Sequence, residues 1–168
     1  MADPVRATRI EIPAPDQQHA REVAIDCLNE YLANTIYAQL AAKFAHWNVK
    51  GTGFHPAHLL FDQVYDFYEE SVDKIGERIT ALGGTAEGLL HDVMMTCDVS
   101  YDAGPDDKVE QHMKAMADLL GRVVNGYREG IETVRVEDVN DQTTQDLFIE
   151  LCREGDKLLY FLEAELRV

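Results

Sequence analysis

The sequence predicts an all-α protein, a four-helix bundle with one long crossover connection between its second and third helices. Apolar residues recur every three or four positions along four long segments, which is the period of a helix with one buried face. The stretch 85–104 separates the second segment from the third and has helical character in its middle, which predicts a short extra helix. The 168 residues, 46% of them hydrophobic, fit one domain with a sizeable core.

The first helix is expected to start after Asp16, whose carboxylate can cap it, and to run to about Trp47. Residues 1–15 contain three prolines and no periodic pattern, which predicts a flexible N-terminal arm and leaves 16–168 as the bundle domain. The apolar side of this helix comprises Leu28, Leu32, Ile36, Leu40 and Phe44.

The second helix is expected to run from about Pro56 to Leu82, because Gly83-Gly84 is a strong stop signal. A third helix should begin at Pro105. The connection 132–146 then leads to a fourth helix. The core-facing side of the second helix comprises Leu60, Val64, Tyr68, Ser71, Ile75, Ile79 and Leu82.

A second line of residues along the second helix is purely acidic apart from a histidine at its head. Like charges four residues apart destabilise a helix by a few tenths of a kcal/mol per pair. No Lys or Arg interrupts the line, so the pattern favours the binding of a cation. Imidazoles together with carboxylates are suitable ligands for iron(II). The line comprises His58, Asp62, Asp66, Glu69, Asp73 and Glu77.

The spacing of the best ligand pairs excludes a single site on one helix. His58/Asp62 and Asp73/Glu77 are fifteen residues apart, which is roughly 22 Å along a helix. Fifteen steps of about 100° leave the pairs only about 60° apart around the axis, so they share a face. If two copies of the helix pack antiparallel about a two-fold axis, position 60 of one lies opposite position 75 of the other. The sequence therefore predicts an isologous dimer with metal sites at its interface.

The same stretch resembles the signature of the Dps family, the mini-ferritins known as DNA-binding proteins of starved cells. The resemblance rests on His-Trp-Asn-Val-x-Gly at 46–51, Phe54, His58-x-x-x-Asp62, Asp73-x-x-x-Glu77-Arg78 and Leu82-Gly83-Gly84. It implies a ferritin-like four-helix bundle whose short extra helix packs at the dimer interface. No Glu-x-x-His motif occurs in the chain, which argues against the di-iron site that other ferritin-like proteins build inside one bundle.

The resemblance also implies a function and a ligand set. Twelve subunits, built from two-fold dimers, would form a hollow shell that stores ferric mineral. Iron(II) would be oxidised at ferroxidase centres by hydrogen peroxide, with dioxygen as a slower oxidant and zinc as a competing ion. In each centre one subunit would supply the first three ligands and its two-fold mate the last two: His46, His58, Asp62, Asp73 and Glu77.

The net charge of −16 favours cations as partners and opposes attraction to DNA or to anionic membranes. Some Dps proteins bind DNA through Lys-rich tails, whereas the arm here offers only Arg6 and Arg9 as cations. We therefore do not expect DNA binding through a tail. The three cysteines are isolated and the start lacks an apolar signal segment, which favours a protein of the cytosol with reduced, buried thiols. Two alternatives stay open: a nucleoid-coating stress protein, and a protein that sequesters zinc or another divalent ion without oxidising it.

Several residues allow two interpretations from sequence. His55 is either an auxiliary metal ligand or an exposed loop histidine, and His91 is either a soft ligand or an interface residue. Trp47 either fills the core or quenches radicals near a metal, and His112 is expected at the surface. Lys74 and Arg78 are expected to offset part of the charge of the acidic line. The acidic residues of 132–146 either line pores or form a solvated loop with a helix cap at Asn140 or Asp141; the pore candidates are Glu137, Asp138, Asp141 and Asp146.

Overall fold

The computed structural model describes residue 6 and residues 8–166, and within them every regular element is a helix. Four long helices form the bundle and one short helix lies in the crossover connection, as predicted. None of the described helices combines the length and apolar character needed to span a membrane. The elements are α1 (Gln17–Asn48), α2 (Phe54–Ala81), α3 (Leu90–Thr96), α4 (Val109–Arg135) and α5 (Gln142–Leu166).

The bundle consists of two helical hairpins packed side by side. Helix α1 packs chiefly on α2, and α4 packs chiefly on α5, while the α1–α4 contact joins the hairpins. The short helix α3 lies against α1. Gly155 on α5 lets that helix approach α4 closely, because a Cβ at this position would overlap the side chain of Val124.

The predicted cap of α1 is confirmed. The Asp16 carboxylate accepts hydrogen bonds from the backbone N–H groups of Gln18 and His19, at 3.0 and 3.2 Å. The apolar side of this helix is partly wrong, since Leu40 is 57% exposed. Positions four residues apart do not stay on one face of a helix with 3.6 residues per turn, so the predicted row moves away from the core. In that part of α1 the buried positions are small residues such as Ala38 and Ala42.

All seven residues predicted to face the core from α2 are buried. The last of them, Leu82, lies just after the helix rather than inside it. The helix ends where Gly83 adopts φ +92°, a left-handed conformation that glycine tolerates. The backbone of Arg6 passes directly over this glycine, and a Cβ there would clash with the Arg6 carbonyl oxygen. The stop signal thus also provides the space in which the arm crosses.

The described part of the arm contacts the bundle without forming a helix or a strand. Arg6 donates its backbone N–H to the Gly83 carbonyl at 2.8 Å, and Ile12 is 2% exposed within the core. Residues 1–5, which include the first of the three prolines, lie outside the described residues, as do residue 7 and residues 167–168 of the predicted bundle domain. The flexibility of the arm stays a prediction.

The third long helix begins later than the sequence predicted. Pro105 lies in a turn, which the Asp107 carboxylate closes by accepting the backbone N–H of Gly104 at 2.8 Å. The helix starts at Val109 instead, and the side chain of Gln111 accepts the N–H of Lys108. Acidic residues after a proline can stabilise a turn as well as a first helical turn, and here the turn forms.

The cap of α5 is Asp141, one of the two predicted positions. Its carboxylate accepts the backbone N–H of Thr144 at 3.1 Å and is only 2% exposed. Asp141 is therefore not a pore-lining residue, because its carboxylate is buried and engaged inside the subunit. Glu137, Asp138 and Asp146 are exposed and remain candidates for pores.

Candidate metal centre

Three of the five predicted ligands meet where the end of α1 lies beside the beginning of α2. The imidazole rings of His46 and His58 stack with their centroids 3.6 Å apart and their planes 25° apart. Nδ1 of His46 lies 3.0 Å from Oδ1 of Asp62. These three residues form the first half-site, and the short loop after α1 brings His46 to the pair on α2.

Backbone carbonyls orient both histidine rings of the first half-site. Nδ1 of His46 lies 3.1 Å from the carbonyl oxygen of His58, and Nδ1 of His58 lies 3.0 Å from the carbonyl oxygen of His46. A carbonyl oxygen can only accept, so Nδ1 is the donor in both contacts, which leaves Nε2 of each ring as the nitrogen that could bind a metal. Such outer hydrogen bonds fix the tautomer and the direction of a histidine that binds metal.

Lys43 also contacts this half-site, and the sequence analysis missed it. Its ammonium lies 2.7 Å from Oδ1 of Asp62 and 4.2 Å from the centroid of the Tyr65 ring. The hydrogen bond from Lys43 lowers the pKa of Asp62, and the same bond raises the pKa of Lys43. Asp62 is thus held as a carboxylate with a cation beside it. Lys43 lies one helical turn before His46, and that spacing of three is the signal that could have found it.

The other two predicted ligands form the second half-site, Asp73 and Glu77, one turn apart on α2. Both are exposed at a shallow depression of about 370 Å³ that Leu32 and Ile36 of α1 also line. Across residues 8–166, no Lys, Arg or His side chain forms an ion pair with either carboxylate. Among the described residues, no cation is therefore paired with their negative charge.

The basic residues next to the second half-site point away from it. Lys74 donates to Glu150 of α5 at 2.8 Å, and Arg78 donates to both carboxylate oxygens of Asp141 at 2.8 and 2.9 Å. The expectation that they offset the charge of the acidic line is therefore wrong. They connect α2 to α5, because these two side chains lie on the flank of α2 that faces that helix.

The subunit does not bring the five predicted ligands together. Within the part of the chain that the structure describes, no group of three or more His, Cys, Asp or Glu residues is arranged to hold a metal ion. In the first half-site Lys43 contacts the carboxylate, and the second half-site offers two carboxylates alone. Either half is incomplete as a metal centre without further ligands.

The remaining histidines lie outside both half-sites. His55 is exposed, and His91 is 75% exposed with its Nε2 2.9 Å from Asp92. His112 was expected at the surface, but it is fully buried, and its Nδ1 lies 2.6 Å from the hydroxyl of Tyr101. Burial lowers the pKa of His112. Trp47 is 72% exposed, so it does not fill the core of the subunit.

The thiols follow the expectation in part. Cys27 and Cys152 are buried, whereas Cys97 is half-buried in the connection after α3. Burial raises the pKa of Cys27 to about 12, so its thiol stays protonated and unreactive.

Fold and comparison with known proteins agree on the class: this is a ferritin-like four-helix protein, and the family model described as ferritin-like domain matches residues 25–168. A DNA protection during starvation protein of Agrobacterium fabrum is 36% identical over 162 residues, which is 95% of each chain. The chain belongs to the Dps family.

Solved structures of Dps proteins superpose over nearly the whole chain. DpsA14 from Streptomyces coelicolor is similar with a TM-score of 0.85 and 27% identity, over 96% of this chain and 94% of that one. Dps from Microbacterium arborescens, described as the high iron form, is similar with a TM-score of 0.82 and 26% identity, over 95% and 100% of the two chains.

Proposed function

We propose that this protein takes up iron(II), oxidises it at ferroxidase centres shared between two subunits, and stores the ferric product inside a dodecameric shell. One observation carries the proposal: the predicted ligands are divided between two incomplete half-sites, one where the end of α1 lies beside the start of α2 and one further along α2. His46, His58 and Asp62 gather near the start of α2, while Asp73 and Glu77 lie exposed further along it. The high iron form of the Microbacterium arborescens protein supports iron as the metal.

The two half-sites complete each other in an antiparallel pair of subunits. Roughly 22 Å of helix separates them, so a two-fold axis between them places each half opposite the other half of the mate. Every dimer then contains two centres with two imidazoles and three carboxylates each. That ligand set holds iron(II) moderately and iron(III) more strongly, because attraction to anionic oxygen grows with the charge of the metal.

Hydrogen peroxide is the proposed oxidant, with dioxygen as the slower alternative. Reduction of peroxide to water needs two electrons, and two iron(II) ions supply one each. Supplying both electrons together avoids the release of hydroxyl radical, which gives the activity a protective value for the cell. The ferric product would then nucleate on acidic side chains of the inner wall.

The proposal does not include DNA binding through the N-terminal arm. The guanidinium of Arg6, one of the two cations of the arm, donates to the Gly84 carbonyl at 3.1 Å. With a net charge of −16, the rest of the chain repels a phosphate backbone. A gel-shift assay at low salt is expected to show free DNA, and retention of DNA would contradict this part of the proposal.

The first experiment combines activity and assembly. The purified protein receives iron(II) without oxygen, then hydrogen peroxide, and is separated by gel filtration with iron and protein read together. Oxidised iron is expected to elute with a large particle at many irons per subunit. If metal stays bound as iron(II), or if zinc occupies the sites and no oxidation occurs, the protein is a sequestering protein and the proposal is wrong.

The second experiment tests the sharing of centres. Asp62→Ala and Asp73→Ala subunits should each be inactive in oxidation yet still assemble, while Asp66→Ala, on the same acidic line but outside both pairs, should behave as wild type. Co-expression of the two inactive variants should restore about a quarter of the wild-type rate, since half of the dimers are mixed and each mixed dimer contains one intact centre. Absence of any restoration would contradict a centre shared between subunits.

A further inference from the structure

Tyr65 lies at the edge of the first half-site and is absent from the predicted ligand set. The ammonium of Lys43 is 2.7 Å from Oδ1 of Asp62 and 4.2 Å from the centroid of the Tyr65 ring. Oδ1 of Asp62 and the centroid of the Tyr65 ring are therefore at most 6.9 Å apart. The Tyr65 ring is half-buried. Through Lys43, Tyr65 is the tyrosine whose described contacts lead most directly to a proposed ligand.

The hydroxyl of Tyr65 has a proton acceptor already in position. It donates to Oε1 of Glu69 at 3.0 Å, one helical turn further along α2. This hydrogen bond raises the pKa of Tyr65, and Gln39 of α1 also hydrogen-bonds to the side chain. A phenol loses an electron far more readily when its proton can leave at the same time, because the product is then a neutral radical. A neutral ring also avoids repulsion from the adjacent Lys43 ammonium.

We propose that Tyr65 supplies the second electron for peroxide reduction when only one iron(II) ion occupies the centre. This inference rests on the proposed function and adds an electron donor to the same site. One iron(II) becomes iron(III), the Tyr65 phenol loses an electron, and its proton passes to Glu69. The O–O bond of hydrogen peroxide breaks, and its two oxygens take up two protons from solvent and leave as two water molecules, while the Tyr65 proton stays on Glu69. The two electrons from iron and tyrosine balance the two that peroxide accepts.

Two other tyrosines with buried surroundings, Tyr68 and Tyr101, are less suited to this step. The hydroxyl of Tyr68 is buried and has no hydrogen-bond partner among the described residues, so its proton has no acceptor. Tyr101 faces the imidazole of His112, but proton transfer there would create a cation on a fully buried side chain. Transfer from Tyr65 instead neutralises the exposed carboxylate of Glu69.

The experiment uses the assembled protein with one iron(II) per centre, mixed with hydrogen peroxide and frozen within milliseconds to seconds. Electron paramagnetic resonance then reads the tyrosyl radical, and a spin trap reads released hydroxyl radical in a parallel sample. Wild type is expected to show the radical signal. Tyr65→Phe, which keeps the ring beside Lys43, should lose the signal and release more hydroxyl radical. Glu69→Gln should slow formation of the radical by about tenfold or more, because a positioned proton acceptor is removed.

Tyr160→Phe is the matched control, because Tyr160 is 61% exposed on α5 and should leave the signal unchanged. A radical that persists in Tyr65→Phe, or wild-type oxidation of iron without any radical, would overturn the role of Tyr65 and leave the ferroxidase proposal intact. If wild type oxidises no iron at all, the proposed function fails and this inference fails with it. Gel filtration of each variant confirms that the assembly has formed.

Discussion

The contact between Lys43 and Asp62 predicts that removing the ammonium tightens iron(II) binding. The ammonium occupies Oδ1 of the carboxylate at 2.7 Å, so an incoming ion must displace it or use the other oxygen. The side chains are 26% and 38% exposed, so solvent screens the pair. Partly exposed pairs of this kind contribute about 0.2–1 kcal/mol. Since 1.4 kcal/mol is a factor of ten, Lys43→Met should lower the iron(II) Kd by up to about fivefold.

The assay is anaerobic calorimetric titration of iron(II) into the assembled protein at about neutral pH. Lys43→Met keeps an unbranched side chain of similar length and removes the charge. Lys50→Met is the control, because Lys50 pairs with the exposed Asp106 at 3.0 Å and should leave the Kd unchanged. A Kd that stays the same or rises in Lys43→Met would refute the idea that Lys43 competes with the metal.

The same variant has a predicted pH dependence. Lys43 lowers the pKa of Asp62, so the wild-type carboxylate stays ionised to lower pH than an ordinary aspartate. Loss of the ammonium raises that pKa, and protons then compete with iron(II) at a higher pH. The advantage of Lys43→Met at neutral pH should therefore shrink as the pH falls. An advantage that instead grows in acid would show that the sign of this coupling is wrong.

Three further predictions concern stability. Asp141→Ala leaves Arg78 without its buried partner and removes the cap of α5, so unfolding in denaturant should show a loss of about 3–5 kcal/mol, against less than about 0.5 for the exposed control Asp138→Ala. Burial lowers the pKa of His112 below its ordinary value of 6.5, so as the pH falls the unfolded chain binds a proton at His112 before the folded chain does. The stability of the wild type should therefore fall as the pH drops through about 6.5, and His112→Gln should lack that fall. Gly83→Ala forces a side chain onto a backbone at φ +92° and against the arm, and limited proteolysis should cut the N-terminal arm faster than in wild type.

The sequence predicted helix α2 well because its signal is local and repeated, whereas the metal-binding role of the residues on it stays a prediction. Six apolar residues, together with Ser71, and two pairs of predicted ligands follow one helical period from His58 to Leu82. The exposure of Leu40 was missed because a step of four drifts over a long helix, and neighbouring alanines can replace a larger residue in a close contact. The start of α4 was missed because Asp107 closes a turn instead of occupying a first helical turn.

The errors of greatest consequence came from contacts between distant parts of the chain. His112 is buried because the connection before α4 folds back and places Tyr101 against it. The partners of Lys74 and Arg78 lie more than sixty residues away on α5 and at its cap. Lys43 lies one helical turn before His46, but its contact with Asp62 became recognisable only when α1 and α2 were seen side by side. The periodicity of a sequence shows which face of a helix is apolar. It does not show which polar group of a neighbouring element will contact that helix.

The engagement of Lys74 and Arg78 by α5 has a consequence for assembly itself. Lys74 and Arg78 are paired inside the subunit, whereas Asp73 and Glu77 are exposed and form no ion pair among the described residues. In the proposed dimer, such a face is electrostatically incomplete until a divalent ion arrives. Assembly and iron binding would then be thermodynamically linked. Dimer formation would strengthen the binding of the ion by the same free energy by which the bound ion strengthens the contact between the subunits. A shell built this way would be stabilised by the substrate that it is meant to remove.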